Sequence, residues 1–226
     1  AEWLSVRLDD EKVLANLIDF KAIRMLPEPI AYKLMVSDNP YERYAYGLWL
    51  WSCRKDIESL KTAFGIFEES AHKGIADALQ MMSRMYYLGE AYDEETGKFV
   101  MDRKLSQELT SQAVEKGSIL AKLRRNKNLF FGTTEVSADK VSAISEAERE
   151  SSAIFSESIL WTEQLGWYYE IEDEREKAIK AYEKCIINGY YAPVYDLALM
   201  YLEDGDEDYY KTLMKSGQEL GVPDCR

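Results

Sequence analysis

Two widely separated stretches of this chain carry the same helix pattern. Ala63, Phe67, Glu68, Ser70 and Gly74 recur with identical spacing as Ala178, Tyr182, Glu183, Cys185 and Gly189. Small residues and an aromatic at i, i+4 and i+7 make one stripe of a helix, and the glycine supplies the left-handed stop. Weaker copies of the ending are Gln112, Ala113 and Gly117, and Gly217 to Gly221. A chain that repeats at this scale is constrained to stack like units on one another.

A second helix type alternates with the first. Leu165-Gly166-x-x-Tyr169 and Leu197-Ala198-x-x-Tyr201 share a large-small-x-x-aromatic signature, followed by Met82-Ser83-x-x-Tyr86 and more loosely by Tyr46-Gly47-x-x-Leu50. The last positions, counting a degenerate member at Leu129, fall at 50, 86, 129, 169 and 201. In that degenerate member Arg125-Asn126 stands where Leu-Gly is expected. A small residue beside a large one lets a neighbouring helix approach, and the aromatic fills the space one turn on.

In order, these marks resemble the Sel1-like repeat, a relative of the tetratricopeptide repeat. The family pattern is Ala-x-x-x-Leu-Gly-x-x-Tyr-x-x-Gly, a variable loop, then Lys-Ala-x-x-aromatic-x-x-Ala-Ala-x-x-Gly. Ala78, Met82, Ser83, Tyr86 and Gly89 carry the opening; Leu165, Gly166 and Tyr169, then Lys177, Ala178, Tyr182 and Gly189, carry both halves. Glu90 to Met101 fits the variable loop, and the likeness covers roughly Tyr41 to Gly221.

The resemblance implies an all-α fold, a right-handed superhelical solenoid of antiparallel helix pairs. About five repeats are expected, at 41–74, 77–117, 120–155, 160–189 and 192–221. The third is degenerate: its second helix, about Ser137 to Ser152, is polar and lacks a closing glycine. Divergence there marks either a bend or adapted site, or simple drift. Residues 1–40 match no repeat. Val13, Leu14, Leu17 and Ile18 form an apolar stripe, Pro27-Glu28-Pro29 breaks the chain after it, and the segment reads as an N-terminal helical cap. Residues 222–226 form a C-terminal tail that resembles the start of a further repeat.

Composition narrows the function classes. The net charge of −13 opposes nucleic acid and anionic lipid surfaces, and suits a basic partner or plain solubility. No apolar run is long enough for membrane insertion. The chain opens at Ala1 without an initiator Met or a signal-like stretch, so processing or trimming is expected; a cytoplasmic setting is slightly favoured and a periplasmic or secreted one stays open. Cys53, Cys185 and Cys225 are far apart and odd in number, which indicates neither a zinc knuckle nor a disulfide framework.

No catalytic residue, cofactor or metal ligand set is expected. His72 is a lone histidine near a helix end, where it complements the helix dipole. Asp204-Gly205-Asp206-Glu207-Asp208 starts like a calcium loop, but Tyr209 and Lys215 occupy the positions that need Gly and Glu. Glu170 to Glu176 reads as an interhelix loop with acids capping the next helix. Phosphate-loop, dinucleotide-loop and nucleophile-elbow motifs are missing.

What remains is surface. In tetratricopeptide repeats the first helices line a concave groove. Register transfer picks Trp51, Tyr87, Phe130 and Glu170 as partner-binding positions, with Leu48, Arg84, Lys127 and Trp167 one turn earlier. Trp51, Tyr87 and Phe130 would form an aromatic ladder if exposed together; otherwise they pack between helices. Arg84 and Lys127 would place positive points suited to an acidic peptide or a chain terminus. The expected function is a non-catalytic adaptor or scaffold binding a protein or peptide. The alternatives are an inhibitor or immunity-like protein masking a basic effector, and a carboxylate-based hydrolase. A homodimer through the last repeat would cover Leu213, Met214 and Leu220.

Overall fold

The computed structural model describes residues 23–53, 56–134, 136–152 and 158–225. The apolar stripe at Val13, Leu14, Leu17 and Ile18 lies outside them. The described chain is all-helical apart from one β-hairpin and forms two compact units, one ending at Arg124 and the other beginning at Arg125.

In the unit ending at Arg124, α1 is Glu28–Met35. Pro27 stands at its N-cap and Pro29 in its first turn, so the two prolines open a helix. A helix start tolerates proline because its first amides lack intrahelical partners. Helix α2, Pro40–Cys53, buries nearly its whole circumference from Tyr44 to Trp51. Such a helix must be covered on several sides; α1 and α3 (Ile57–His72) both pack on it, and Trp49 donates its indole N–H to the Leu26 carbonyl at 3.3 Å. Asp56 caps α3 by accepting from the Ser59 amide at 2.7 Å.

Helix α4, Ala76–Leu88, ends at Gly89, whose φ of +72° lies in the left-handed region that favours glycine. The chain then forms β1 (Ala91–Asp93) and β2 (Lys98–Val100) before α5, Arg103–Glu115. The expected loop at 90–101 is therefore a hairpin. Tyr92 faces Phe99 across the ladder, rings 5.5 Å apart, and the Asp93 carboxylate accepts from the Glu95 amide and the Thr96 hydroxyl to fold the turn. Helix α6, Ile119–Phe131, starts behind Ser118.

In the unit beginning at Arg125, α7 (Lys140–Ser151), α8 (Ser158–Ile171), α9 (Arg175–Ile187), α10 (Val194–Glu203) and α11 (Glu207–Leu220) pack on their sequence neighbours. Connections this short make consecutive packed helices antiparallel. A single-turn 3₁₀ segment, Pro223–Cys225, follows α11 and brings the Cys225 thiol against Gly217, leaving no room for a Cβ there.

The small position of the signature faces the partner helix in four successive pairs. A Cβ on Gly47 would lie 2.9 Å from Ile66 Cγ2 and 3.1 Å from Phe67 Cε1 of α3. Ser83 sends its hydroxyl to the Ser106 carbonyl of α5 at 2.7 Å and lies 2.7 Å from the Thr110 hydroxyl. Asn126 donates to the Ala143 carbonyl of α7 at 3.0 Å. A Cβ on Gly166 would lie 2.6 Å from Tyr182 Cε1 of α9.

Candidate functional site

In the unit ending at Arg124, the arrangement with most chemistry to offer surrounds Tyr87. Helical spacing of three places Arg84 and Tyr87 on one side of α4. The Arg84 guanidinium lies over the Trp51 ring, 4.8 Å from its centroid. Trp51 itself is buried, and its indole N–H is held by the Glu90 carboxylate at 2.8 Å. Tyr87 is 48% exposed, with two further guanidiniums over its ring, Arg103 at 5.9 Å and Arg124 at 5.7 Å. Four helices, α2, α4, α5 and α6, thus bring three arginines and two aromatics together in a chain of net charge −13.

Arg103 is the first residue of α5, where the helix dipole is positive, and no acid occupies that first turn. A cation there costs roughly 0.3–1 kcal/mol of helix stability. Among the described residues neither Arg103 nor Arg124 has an ion-pair partner. The nearby Asp102 is engaged, accepting from the Leu105 amide at 2.9 Å. A guanidinium over a ring uses its face and keeps its in-plane N–H groups for an anion.

A second cation–aromatic group lies in the unit beginning at Arg125. Lys127 Nζ sits 4.4 Å from the Trp167 ring centroid, and the exposed Phe131 ring is 5.2 Å from Trp167. Phe130 is fully buried and stacked on Tyr168, rings 4.0 Å apart and parallel within 1°. Glu170 is exposed and accepts from the Tyr182 hydroxyl at 2.8 Å.

The expected aromatic ladder is not formed at the surface. Trp51 and Phe130 are 3% and 0% exposed, and only Tyr87 reaches solvent. Leu48 is also fully buried. The reason is local: α2 is covered on more than one side, and Phe130 is matched face to face by Tyr168. Arg84, Lys127, Trp167 and Glu170 do keep surface. The sequence reading missed Arg103, Arg124 and Phe131. Two signals pointed to them: the doublets Tyr86-Tyr87 and Phe130-Phe131, each turning its second ring outward, and the basic pair Arg103-Lys104 opening a helix.

Other reactive groups are fastened into the fold. Asp77, deeply buried in α4, accepts from the Ser118 hydroxyl at 2.7 Å and the Leu120 amide at 2.9 Å, so it holds the start of α6. Burial pushes its pKa up, opposed by those hydrogen bonds. His72 is exposed, its Nδ1 2.8 Å from the Glu68 carbonyl. No disulfide joins Cys53, Cys185 or Cys225, and the last two are buried. Among the described residues no group of three or more His, Cys, Asp or Glu is placed to hold a metal ion, and no helix is long and apolar enough to cross a membrane. No protein-family model matches the sequence, and no curated protein shows significant similarity to it.

Proposed function

We propose that this chain is a non-catalytic binding module for an acidic segment of another protein, engaged at the Tyr87 face. The observation that carries the reading is the exposed Tyr87 ring with Arg103 and Arg124 over it, beside Arg84 on Trp51. A rigid aromatic flanked by Arg103 and Arg124, which have no ion-pair partner among the described residues, has the composition of an interface anchor. The acids elsewhere on the chain repel an acidic partner from other faces, which gives register as well as attraction.

The proposed scaffold is a right-handed solenoid of Sel1-like helix pairs. Its support is the recurring contact between the small signature position and the partner helix at Gly47, Ser83, Asn126 and Gly166. On this reading the Tyr87 face belongs to the groove side of the first helices.

Binding of fluorescein-labelled degenerate peptides, acidic or basic in composition, tests the function. The acidic set is expected to bind, and the combined Tyr87→Ala, Arg103→Ala and Arg124→Ala variant to lose at least about a hundredfold in affinity, since charge-assisted hydrogen bonds contribute about 1.5–3 kcal/mol each. Circular dichroism should show an unchanged fold, because Tyr87 and Arg103 are exposed. Preference for the basic set, or equal acidic binding by the variant, would overturn the proposal.

A further inference from the structure

We infer that the Tyr87 face is a phosphate-recognition site, taking a phosphorylated side chain of a partner protein; this rests on the peptide-binding reading above. Three features lead there. First, all three cations at the rings are arginines, whose planar fork of N–H donors matches phosphate oxygens in pairs, whereas lysine offers a point charge. The neighbouring Lys104 points elsewhere, with its side chain 88% exposed and its Nζ 3.8 Å from Glu108.

Second, ring contact pre-orders Arg103 and Arg124 on one aromatic side chain and spends only the guanidinium faces. Two such groups, 5.9 and 5.7 Å from the centroid of one exposed ring, suit one compact dianion better than carboxylates spread along a peptide. A phosphomonoester brings nearly two charges and three acceptor oxygens to a single point. Third, an extended polyanion meets a chain of net charge −13, while screening over about 8 Å at physiological salt lets the local guanidiniums act on a group that reaches them. The α5 N-terminus behind Arg103 adds its positive end to the same place. Glu90 and Asp102, the acids alongside, are held by the Trp51 indole and the Leu105 amide.

Three degenerate peptide libraries discriminate the outcomes. They share flanking composition and carry a phosphorylated residue (serine, threonine or tyrosine), a glutamate or an alanine at the centre. The full chain is titrated with each, and the Trp51 indole N–H resonance reports on the site. The phosphorylated library is expected to bind at least about tenfold tighter than the glutamate library, a margin of about 1.4 kcal/mol. Arg103→Lys and Arg124→Lys, which keep charge but lose the fork, are expected to erase most of that margin by weakening binding of the phosphorylated library more than that of the glutamate library. Lys104→Ala should change neither.

Equal binding of the phosphorylated and glutamate libraries would overturn the phosphate assignment and leave the acidic-peptide reading standing. Binding of neither would sink both. Retention of the margin by the two lysine variants, or its loss in Lys104→Ala, would show that diffuse charge and not the arginine forks sets the preference, and would overturn the inference.

Discussion

At the same position of the repeated signature, α8 carries Gly166 and α6 carries Asn126, and the two solve one packing problem by opposite means. Gly166 removes its side chain so that the Tyr182 ring of α9 lies against the α8 backbone. Asn126 fills the space with polar atoms, every one of them used. Its amide donates to the Ala143 carbonyl at 3.0 Å and to Glu146 Oε2 at 2.7 Å, and its oxygen accepts from Gln164 at 2.8 Å and the Tyr168 hydroxyl at 2.9 Å. One pair is held by close approach, the other by a fully satisfied buried amide joining α6, α7 and α8. The signature at 125–129 is thus degenerate in its letters but not in its fastening. Ser83, bonded to Ser106 and Thr110, is an intermediate solution.

The comparison breaks most visibly at Asn126. Asn126→Ala takes the acceptor from the buried Tyr168 hydroxyl and a partner from the Gln164 amide and the Ala143 carbonyl, although Gln164 still donates to that hydroxyl at 2.9 Å; buried groups that lose partners cost about 1–3 kcal/mol each. Urea unfolding should show a loss of about 3 kcal/mol; a loss under about 1 kcal/mol would mean the network is incidental. Next comes Gly166→Ala, which forces a methyl to within 2.6 Å of the Tyr182 ring. Overpacking of this kind costs about 2 kcal/mol. Combining it with Tyr182→Ala should then cost less than the sum of the two single changes, whereas strict additivity would show that close approach is not what Gly166 provides.

The smallest effect sharpens the comparison through pH. Burial raises the pKa of Tyr168, Tyr169 and Tyr182 well above the ordinary tyrosine value, with Glu148 adding to Tyr169 and Glu170 to Tyr182. Unfolded tyrosine ionises near about 10. Below that, both states keep their protons and the stabilisation is intact; as pH rises further, the unfolded state ionises first and stability falls. Tyr182→Phe should cost about 1 kcal/mol at neutral pH by losing the Glu170 hydrogen bond. It should also make the alkaline loss shallower. A wild-type stability that is flat to high pH would contradict the buried, neutral phenols.

Much of this architecture is legible in the letters. The helix ends at Gly74, Gly117, Gly189 and Gly221 all have positive φ, because a left-handed stop selects for glycine wherever it occurs. The small positions at Gly47, Ser83 and Gly166 were readable for the same reason: periodicity of 3.6 fixes which side of a helix a residue takes. The hairpin at 91–100 was not, since its short strands depend on one Tyr92–Phe99 pair and a side-chain turn at Asp93.

The candidate site divides the same way. Spacing along the chain carried the helical class and put Arg84 and Tyr87 on one side of one helix. Only tertiary structure decided that Trp51, Leu48 and Phe130 are interior, that Asn126 is a hub, and that Arg103 and Arg124 meet at Tyr87. Burial and cation–ring contact depend on what a second helix brings within a few ångströms, and no periodicity within the first helix encodes that.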